Sequence, residues 1–103
     1  MSTEFAQKVY EALKKVPRGK VISYKRLAEM IGSKAYRAVG SVLAKNPYAP
    51  VVPCHRVVAS DGSLGGFMGS KSKNNLIKKQ LLLNSEGVII KDGKIVDFEV
   101  ISF

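Results

Sequence analysis

The sequence predicts a small α+β domain of winged-helix type, with four helices, a helix-turn-helix and a C-terminal β-hairpin. Three observations predict it: apolar residues recur at helical spacing, two short helices share a tight glycine-containing turn, and an Asp-Gly pair separates two apolar runs near the end. At 103 residues the chain is long enough for one core and too short for two. We therefore interpret residues 1–103 as one domain.

The first predicted helix starts after a cap at Ser2 or Thr3, and its apolar residues recur at helical spacing from Phe5 to Val16. Pro17 ends this helix, because proline in a helix interior removes a hydrogen bond and clashes with the preceding turn. The apolar stripe is expected to belong to the core.

Two short helices follow. Ser23 is a cap candidate for a helix over residues 24–31, and Gly32 closes that helix. A third helix is predicted over residues 34–45, stopped by the Asn-Pro pair at 46–47. Such a pair of helices is typical of a helix-turn-helix, whose second helix is the candidate for entering a DNA groove.

The third helix combines small residues with Arg37, which projects from the same region. The small residues are Ala35, Ala38 and Gly40. A mid-helix glycine costs about 1 kcal/mol relative to alanine, so the close approach of another surface is one explanation for Gly40. Packing against a neighbouring helix is the alternative explanation.

A last helix is predicted from Ser70 or Ser72 to Asn84. We expect its buried face to consist of Leu76, Ile77, Leu81 and Leu82, and its solvent face of Lys71, Lys73, Lys78 and Lys79. After this helix, residues 88–90 are predicted to pair with residues 95–96 across an Asp-Gly turn, which suits a two-residue type I′ hairpin.

The charge is strongly basic and unevenly distributed. The chain has 17 Lys and Arg against 8 Asp and Glu, for a net charge of +9. From Glu86 onward 4 acidic residues outnumber 2 lysines, so residues 1–85 carry 15 basic and 4 acidic side chains. This asymmetry indicates a polyanionic partner, with nucleic acid favoured over an anionic membrane. A lysine-rich solubilising surface is the alternative.

The cysteine count and the hydropathy pattern limit the class of protein. One cysteine cannot form an internal disulfide, and neither a secretory leader nor a bilayer-spanning apolar run is seen. We therefore expect a soluble, cytoplasmic protein. A zinc site needs three or four ligands, and Cys54 with His55 exhausts the cysteine and histidine, so no zinc site is expected. We also expect no other metal and no organic cofactor.

The feature with the clearest chemistry is residues 53–58, PCHRVV, where the only cysteine adjoins the only histidine. The thiolate is the reactive form of cysteine, and a neighbouring proton acceptor is the usual way to reach it at neutral pH. Pro53 stiffens the turn that presents Cys54. A buried, inert cysteine that happens to adjoin a histidine is the alternative.

A second candidate element is the loop over residues 65–69, in which three glycines surround Phe67 and Met68. Glycines let the backbone approach a ligand closely, and Phe67 offers a face for stacking. The loop lacks the Lys and Ser/Thr of a nucleotide-binding loop. A flexible surface loop is the alternative.

Six sequence blocks together resemble the O6-alkylguanine-DNA alkyltransferase family. In chain order they are VISY at 21–24, RAVG at 37–40, NP at 46–47, PCHRVV at 53–58, GGF at 65–67 and SEG at 85–87. The PCHRV motif is specific in that family. The resemblance implies irreversible transfer of an alkyl group from O6-alkylguanine in duplex DNA to the cysteine sulfur, once per molecule, after the base is flipped out of the duplex.

The resemblance also implies a role for each matching residue. Cys54 would be the nucleophile, His55 would take its proton through a water, and Glu86 would orient that histidine. Tyr24 would donate a hydrogen bond to the departing guanine, and Asn46 would brace the cysteine turn. The base pocket would be formed by Gly65, the ring of Phe67 and backbone groups of Cys54, Val57 and Met68.

In that family the helix-turn-helix enters the minor groove of DNA. The resemblance therefore implies a DNA-binding face formed by Ala35, Tyr36, Arg37, Ala38 and Gly40. Arg37 would fill the space that the flipped base leaves in the stack. We expect the protein to act on double-stranded DNA as a monomer.

Three features depart from the family pattern. Many members carry an N-terminal domain of a different fold, which we expect this protein to lack. Tyr36 replaces a residue that is commonly small, and Phe67 stands where tyrosine is frequent, so the preference among damaged bases is expected to differ. Two alternatives stay open: a non-enzymatic alkyltransferase-like lesion sensor, in which another residue replaces the cysteine, and a winged-helix transcription factor.

Overall fold

The computed structural model describes residues 4–48, 51–67 and 72–103. Within these ranges the chain forms five α-helices: α1 (Glu4–Leu13), α2 (Tyr24–Met30), α3 (Tyr36–Ala44), α4 (Lys73–Ser85) and α5 (Phe98–Ile101). Four two-residue strands accompany them: β1 (Ile22–Ser23), β2 (Val57–Val58), β3 (Ile90–Lys91) and β4 (Lys94–Ile95). A 3₁₀ helix, Cys54–Arg56, precedes β2. The predicted α+β class is confirmed.

The first helix packs its apolar stripe into the core, as predicted. Val9 and Leu13 are fully buried, and so is Val16, although α1 ends at Leu13 rather than at Pro17. After Leu13 the backbone continues in a tighter turn, in which the Val16 amide donates to the Leu13 carbonyl, and this turn carries Val16 into the core. The predicted cap at Ser2 or Thr3 lies outside the described residues.

The predicted helix-turn-helix is present as α2 and α3. The Ser23 side chain caps α2 by accepting a hydrogen bond from the Arg26 amide at 3.0 Å. Gly32 lies in the left-handed region, with φ of +69°, and reverses the chain after α2. The third helix starts at Tyr36, later than predicted, because the Ser33 hydroxyl accepts the Ala35 amide hydrogen in a turn of its own.

The start of the helix-turn-helix is fixed to the cysteine region by a parallel strand pair. Strand β1 pairs with β2 in the register Ile22 with Val57 and Ser23 with Val58. Ser23 is the cap of α2, and β2 directly follows the 3₁₀ helix that begins at Cys54. The pairing therefore brings together two segments that lie more than 30 residues apart in sequence.

The predicted orientation of the last helix is wrong. Ile77 is 46% exposed and Leu81 62% exposed, whereas Lys79 and Leu83 are fully buried. Consecutive apolar residues at 81–83 do not select one helix face, and the Lys79 ammonium can enter the interior because carbonyl oxygens accept its hydrogens.

Other expectations for the last helix are met in part. Ser72 caps it, accepting from the Asn75 amide at 3.3 Å, and Lys73 and Lys78 are exposed as predicted. Leu76 and Leu82 are only partly buried. Ser70 and Lys71 lie outside the described residues.

The C-terminal part closes the fold. Strands β3 and β4 pair antiparallel across Asp92 and Gly93, whose φ angles of 53° and 75° fit the predicted type I′ turn. Helix α5 was not predicted, and after it the Phe103 amide donates to the Val21 carbonyl at 2.7 Å.

No helix within the described ranges combines the length and the apolar character that crossing a membrane requires.

Candidate active site

Cys54 begins the 3₁₀ helix and lies almost wholly inside the protein, with 6% of its surface exposed. Its amide donates to the Val52 carbonyl at 2.9 Å, and the Arg56 amide donates to the Pro53 carbonyl at 3.0 Å. These bonds make the cysteine turn a fixed element rather than a mobile loop. The predicted stiffness of this turn is thus matched by its hydrogen bonds.

Cys54 opens onto a pocket of about 70 Å³. The residues lining it come from the helix-turn-helix, the cysteine turn and the glycine-rich loop: Tyr24, Gly40, Leu43, Ala44, Cys54, Gly66 and Phe67. Three separate parts of the chain therefore meet around the thiol. The sequence blocks quoted above supply the greater part of this lining.

The predicted pocket residues are placed unequally. Phe67 lines the pocket, and Gly65 directly precedes Gly66, another residue of the pocket lining. Val57 is fully buried in the core behind the cysteine turn. Met68 lies outside the described residues.

Gly65 packs against the ring of Tyr24. Its φ of +67° lies in the left-handed region, and a Cβ at this position would come within 3.4 Å of Tyr24 Cε2. The described part of the loop is therefore packed against the pocket wall, which argues against a surface loop without contacts.

His55 and Glu86 form a buried hydrogen-bonded pair. Nε2 of His55 lies 2.8 Å from Oε2 of Glu86, and the two side chains are 3% and 9% exposed. Because an ionised carboxylate only accepts hydrogen bonds, the proton of a neutral His55 resides on Nε2. Nδ1 is then the ring nitrogen that can take up a proton.

The side chain of Arg56 fixes the carboxylate of Glu86. Its Nε donates to Oε1 at 2.8 Å and one terminal nitrogen donates to Oε2 at 2.7 Å, while the other donates to the Val16 carbonyl at 2.8 Å. No role was predicted for Arg56, although it is part of the PCHRVV block. A bidentate pair of this kind holds a carboxylate in one orientation.

The electrostatics keep Glu86 charged and His55 neutral. Burial alone would raise the pKa of Glu86, but hydrogen bonds from Arg56 and His55 outweigh it and lower the pKa to about 2. Burial lowers the pKa of His55, and the hydrogen bond to Glu86 offsets this only in part. At neutral pH the imidazole is therefore a free base.

Tyr24 occupies the first turn of α2 and borders the pocket. Burial raises its pKa, and a negative charge on Cys54 raises it further. The phenol therefore keeps its proton at neutral pH and can serve as a hydrogen-bond donor.

Asn46 is buried between α3 and the cysteine turn. Its Nδ2 donates to the Val52 carbonyl at 2.9 Å, two residues before Cys54, and its Oδ1 accepts from the Tyr48 amide at 2.9 Å. The side chain thus hydrogen-bonds to the backbone of two residues between α3 and the cysteine turn. This geometry suits the bracing role expected for Asn46.

The predicted DNA-binding residues lie together at the N-terminal part of α3. Ala35, Tyr36 and Arg37 are exposed, and Ala38 and Gly40 are partly exposed. A Cβ on Gly40 would meet no atom within 4 Å, so packing against another helix does not explain this glycine. Gly40 instead borders the pocket.

The prediction that Lys79 faces solvent is wrong, since its side chain is fully buried. It lies behind the glycine-rich loop and donates to the Gly66 carbonyl of that loop and to the Val57 carbonyl of β2.

Within the described parts of the chain, no group of three or more His, Cys, Asp or Glu side chains is arranged to hold a metal ion.

Curated proteins of known name match most of this chain. The methylated-DNA–protein-cysteine methyltransferase of Kluyveromyces lactis is 46% identical over 82 residues, which is 78% of this chain and 43% of that protein. The protein of the same name from Thermococcus barophilus is 49% identical over 87 residues, 84% of this chain and 46% of its own length. The chain spans about half the length of these relatives.

Two solved structures share the fold. The crystal structure of Mycobacterium tuberculosis OGT in complex with DNA matches with a TM-score of 0.76 and 40% identity, over 84% of this chain and 51% of that chain. The structure of S. pombe Atl1 in complex with damaged DNA containing O6-carboxymethylguanine matches with a TM-score of 0.84 and 28% identity, over 100% of this chain and 98% of that chain.

The model of the family described as 6-O-methylguanine DNA methyltransferase, DNA binding domain, matches residues 4–88. This range includes the helix-turn-helix, the cysteine turn and Glu86. Since the match covers more than half of the sequence, the chain belongs to the 6-O-methylguanine DNA methyltransferase family.

Proposed function

We propose that this protein repairs O6-alkylguanine in duplex DNA by transferring the alkyl group to Sγ of its own Cys54, once per molecule. The observation that carries the proposal is the buried pair of His55 and Glu86 beside a cysteine that opens onto a pocket. The chain would then be the catalytic domain as well as the DNA-binding domain of its family.

Activation of the thiol follows from the charges of the site. The Cys54 proton passes, through a water, to Nδ1 of His55, which is neutral because burial lowers its pKa. Glu86 remains ionised and stabilises the imidazolium that forms. The thiolate then attacks the alkyl carbon, so that an S–C bond forms as the bond from carbon to guanine O6 breaks.

The departing guanine carries the electron pair of the broken bond. The Tyr24 hydroxyl, protonated at neutral pH, donates a hydrogen bond as that negative charge develops. The guanine then takes up a proton and is restored. The thioether on Cys54 is stable, so the protein is consumed in the reaction.

The DNA-binding part of the proposal rests on charge and on α3. An alkylated O6 lies inside the duplex, so the base must leave the stack before a buried thiol can reach it. The small residues of α3 allow close approach to the minor groove, and exposed Arg37 occupies the vacated position. The basic excess of residues 1–85 supplies affinity for phosphates.

Lesion sensing without transfer is the second candidate. It is favoured by the likeness to S. pombe Atl1, which extends over the whole chain. The presence of Cys54 in the pocket favours transfer, because a sensor has no use for the thiol.

A comparison of the wild-type protein with Cys54→Ser on DNA carrying one O6-methylguanine separates the candidates. Repair predicts that the wild type takes up the methyl group, whereas Cys54→Ser binds lesion DNA without transfer, since a hydroxyl is a far poorer nucleophile than a thiolate. An unmodified wild type that prefers lesion DNA would support the sensor. An unmodified wild type without lesion preference would support a transcription factor.

A further inference from the structure

The inner face of α4 holds a buried charge that the proposed reaction does not use. Lys79 is fully buried, which is rare for lysine without partners. Its Nζ donates to the carbonyls of Val57 at 2.7 Å, of Gly66 at 2.8 Å and of Leu64. Each of the three ammonium hydrogens thus has an acceptor.

A second side chain of the same helix face reaches the same loop. Nδ2 of Asn75 donates to the Phe67 carbonyl at 3.0 Å. Asn75 and Lys79 are four residues apart, so they lie one above the other on the helix. Together they bind three carbonyls within residues 64–67.

The carbonyls that accept these hydrogen bonds belong to residues at the pocket and next to the cysteine turn. Gly66 and Phe67 line the pocket, and Val57 follows the cysteine turn directly. A segment with adjacent glycines at 65 and 66 has much backbone freedom to lose when it is ordered. Hydrogen bonds from a charged donor are strong enough to hold such a segment in one conformation.

We propose that Lys79 and Asn75 are positioning residues, which hold the pocket loop (residues 64–67) against the segment that follows Cys54. They thereby keep the pocket wall in a fixed position relative to the Cys54 thiol. The consequence for transfer rests on the proposed function, whereas the restraint on the loop does not. A guanine flipped out of the duplex would then enter a pocket that is already formed, and no loop would have to be ordered first.

The restraint requires a charged lysine, because a neutral amine has two hydrogens for three carbonyls. Burial lowers the pKa of Lys79 to about 8, and a negative charge on Cys54 favours the ammonium form. Among the described residues, Cys54 and His55 are the titratable side chains whose charges interact with it.

Amide hydrogen exchange tests the restraint directly, without any need for activity. Lys79→Met and Asn75→Ala are compared with Lys78→Met, whose side chain is exposed on the same helix. In the first two variants, the amides of residues 64–67 should exchange about tenfold faster, because the segment opens more often once the bonds that hold its carbonyls are lost. The control should exchange like the wild type.

Transfer kinetics then test the consequence for the site. In both loop variants, methyl transfer from duplex O6-methylguanine should be about tenfold slower, since misplacement of a binding wall impairs reaction geometry. DNA binding should be unchanged. Alkylation of Cys54 by iodoacetamide should be unchanged in Asn75→Ala and should slow much less than methyl transfer in Lys79→Met, which also removes a charge that interacts with Cys54. In the wild type the transfer rate should fall above about pH 8, and this fall should be absent in Lys79→Arg, whose guanidinium stays charged.

The outcomes are separable. Unchanged exchange of residues 64–67 in Asn75→Ala, which keeps the buried lysine, and in Lys79→Met would overturn the proposal. Equal slowing of iodoacetamide alkylation and methyl transfer would also overturn it, because Lys79 would then act on the thiol. If the wild type transfers nothing, the proposed function fails, and the exchange result still decides whether these residues hold the loop.

Discussion

Arg56 and Glu86 form a bidentate ion pair, with Nε to Oε1 at 2.8 Å and a terminal nitrogen to Oε2 at 2.7 Å. The pair connects the cysteine turn to the residue that follows α4. It also leaves Glu86 with one orientation, in which Oε2 accepts from His55. Arg56 therefore orients the carboxylate that selects the tautomer of His55, the proposed base. It does so through Glu86, without a hydrogen bond to His55.

Arg56→Lys tests this relationship, because lysine keeps the charge but cannot bind a carboxylate through two parallel hydrogen bonds. We expect alkyl transfer to slow by about tenfold as His55 loses its fixed orientation. We expect stability to fall by about 2 kcal/mol, the scale of a hydrogen bond to a charged group. Arg18→Lys is the matched control, since Arg18 binds the neighbouring Ser85 carbonyl without touching the carboxylate. Equal effects in the two variants would show that Arg56 merely anchors the helix end.

Glu86→Gln should weaken the fold in a pH-dependent way. The folded-state pKa of Glu86 is lowered from 4.5 to about 2, so the carboxylate stabilises the fold fully above its unfolded pKa and loses that effect as the pH falls through about 2. At about 1.4 kcal/mol per pKa unit, the contribution at pH 7 is at most about 3.5 kcal/mol. Urea unfolding of both proteins at several pH values measures it.

In this comparison the stability difference between wild type and Glu86→Gln should shrink steadily below pH 4.5. A difference that is the same at pH 7 and pH 3 would contradict the assigned charge. In the same variant, alkyl transfer should be slowed while DNA binding is nearly intact, because Glu86 acts through His55. Wild-type transfer rates at every pH would remove Glu86 from the reaction.

Tyr24→Phe should slow transfer without altering the fold or DNA affinity. The variant removes one hydrogen-bond donor at a developing negative charge, which is worth at most about 2.7–4 kcal/mol by analogy with oxyanion holes. Single-turnover rates on methylated duplex DNA measure the loss. A rate equal to that of the wild type would mean that another group stabilises the departing guanine.

Arg37→Ala should separate base flipping from chemistry. Arg37 is exposed on α3 and does not line the pocket, so reaction with free O6-benzylguanine should be unaffected. Repair of duplex DNA should slow strongly, because the unstacked duplex loses the side chain that replaces the base. If both substrates react equally slowly, the role of Arg37 is structural.

The sequence predicted best those features that depend on neighbouring residues. The Ser23 cap, the Gly32 reversal and the Asp92-Gly93 turn each follow from local backbone preferences, and each is observed. Contacts that depend on packing were predicted less well. Lys79 was expected in solvent because its carbonyl partners come from segments 13 to 22 residues away, which no local pattern reveals.

The candidate site was predicted through motifs rather than through packing. Cys54, His55 and Glu86 were expected to act together, and His55 and Glu86 are in contact across 31 residues of sequence. The role of Arg56 was missed because an arginine beside a histidine carries no sign of its partner. Helix α5 was missed since a four-residue helix shows too little periodicity to be recognised.

The stoichiometry of methyl transfer shows whether Cys54 is the acceptor and whether each molecule reacts once. The wild-type protein is mixed with an excess of methylated duplex DNA, and the intact mass, the modified peptide and the repaired guanine are determined together. We expect a mass increase of a single methyl group on the Cys54 peptide and a plateau of repaired guanine at the molar amount of protein. Repair that continues beyond one equivalent, or repair with an unmodified Cys54, would contradict this expectation.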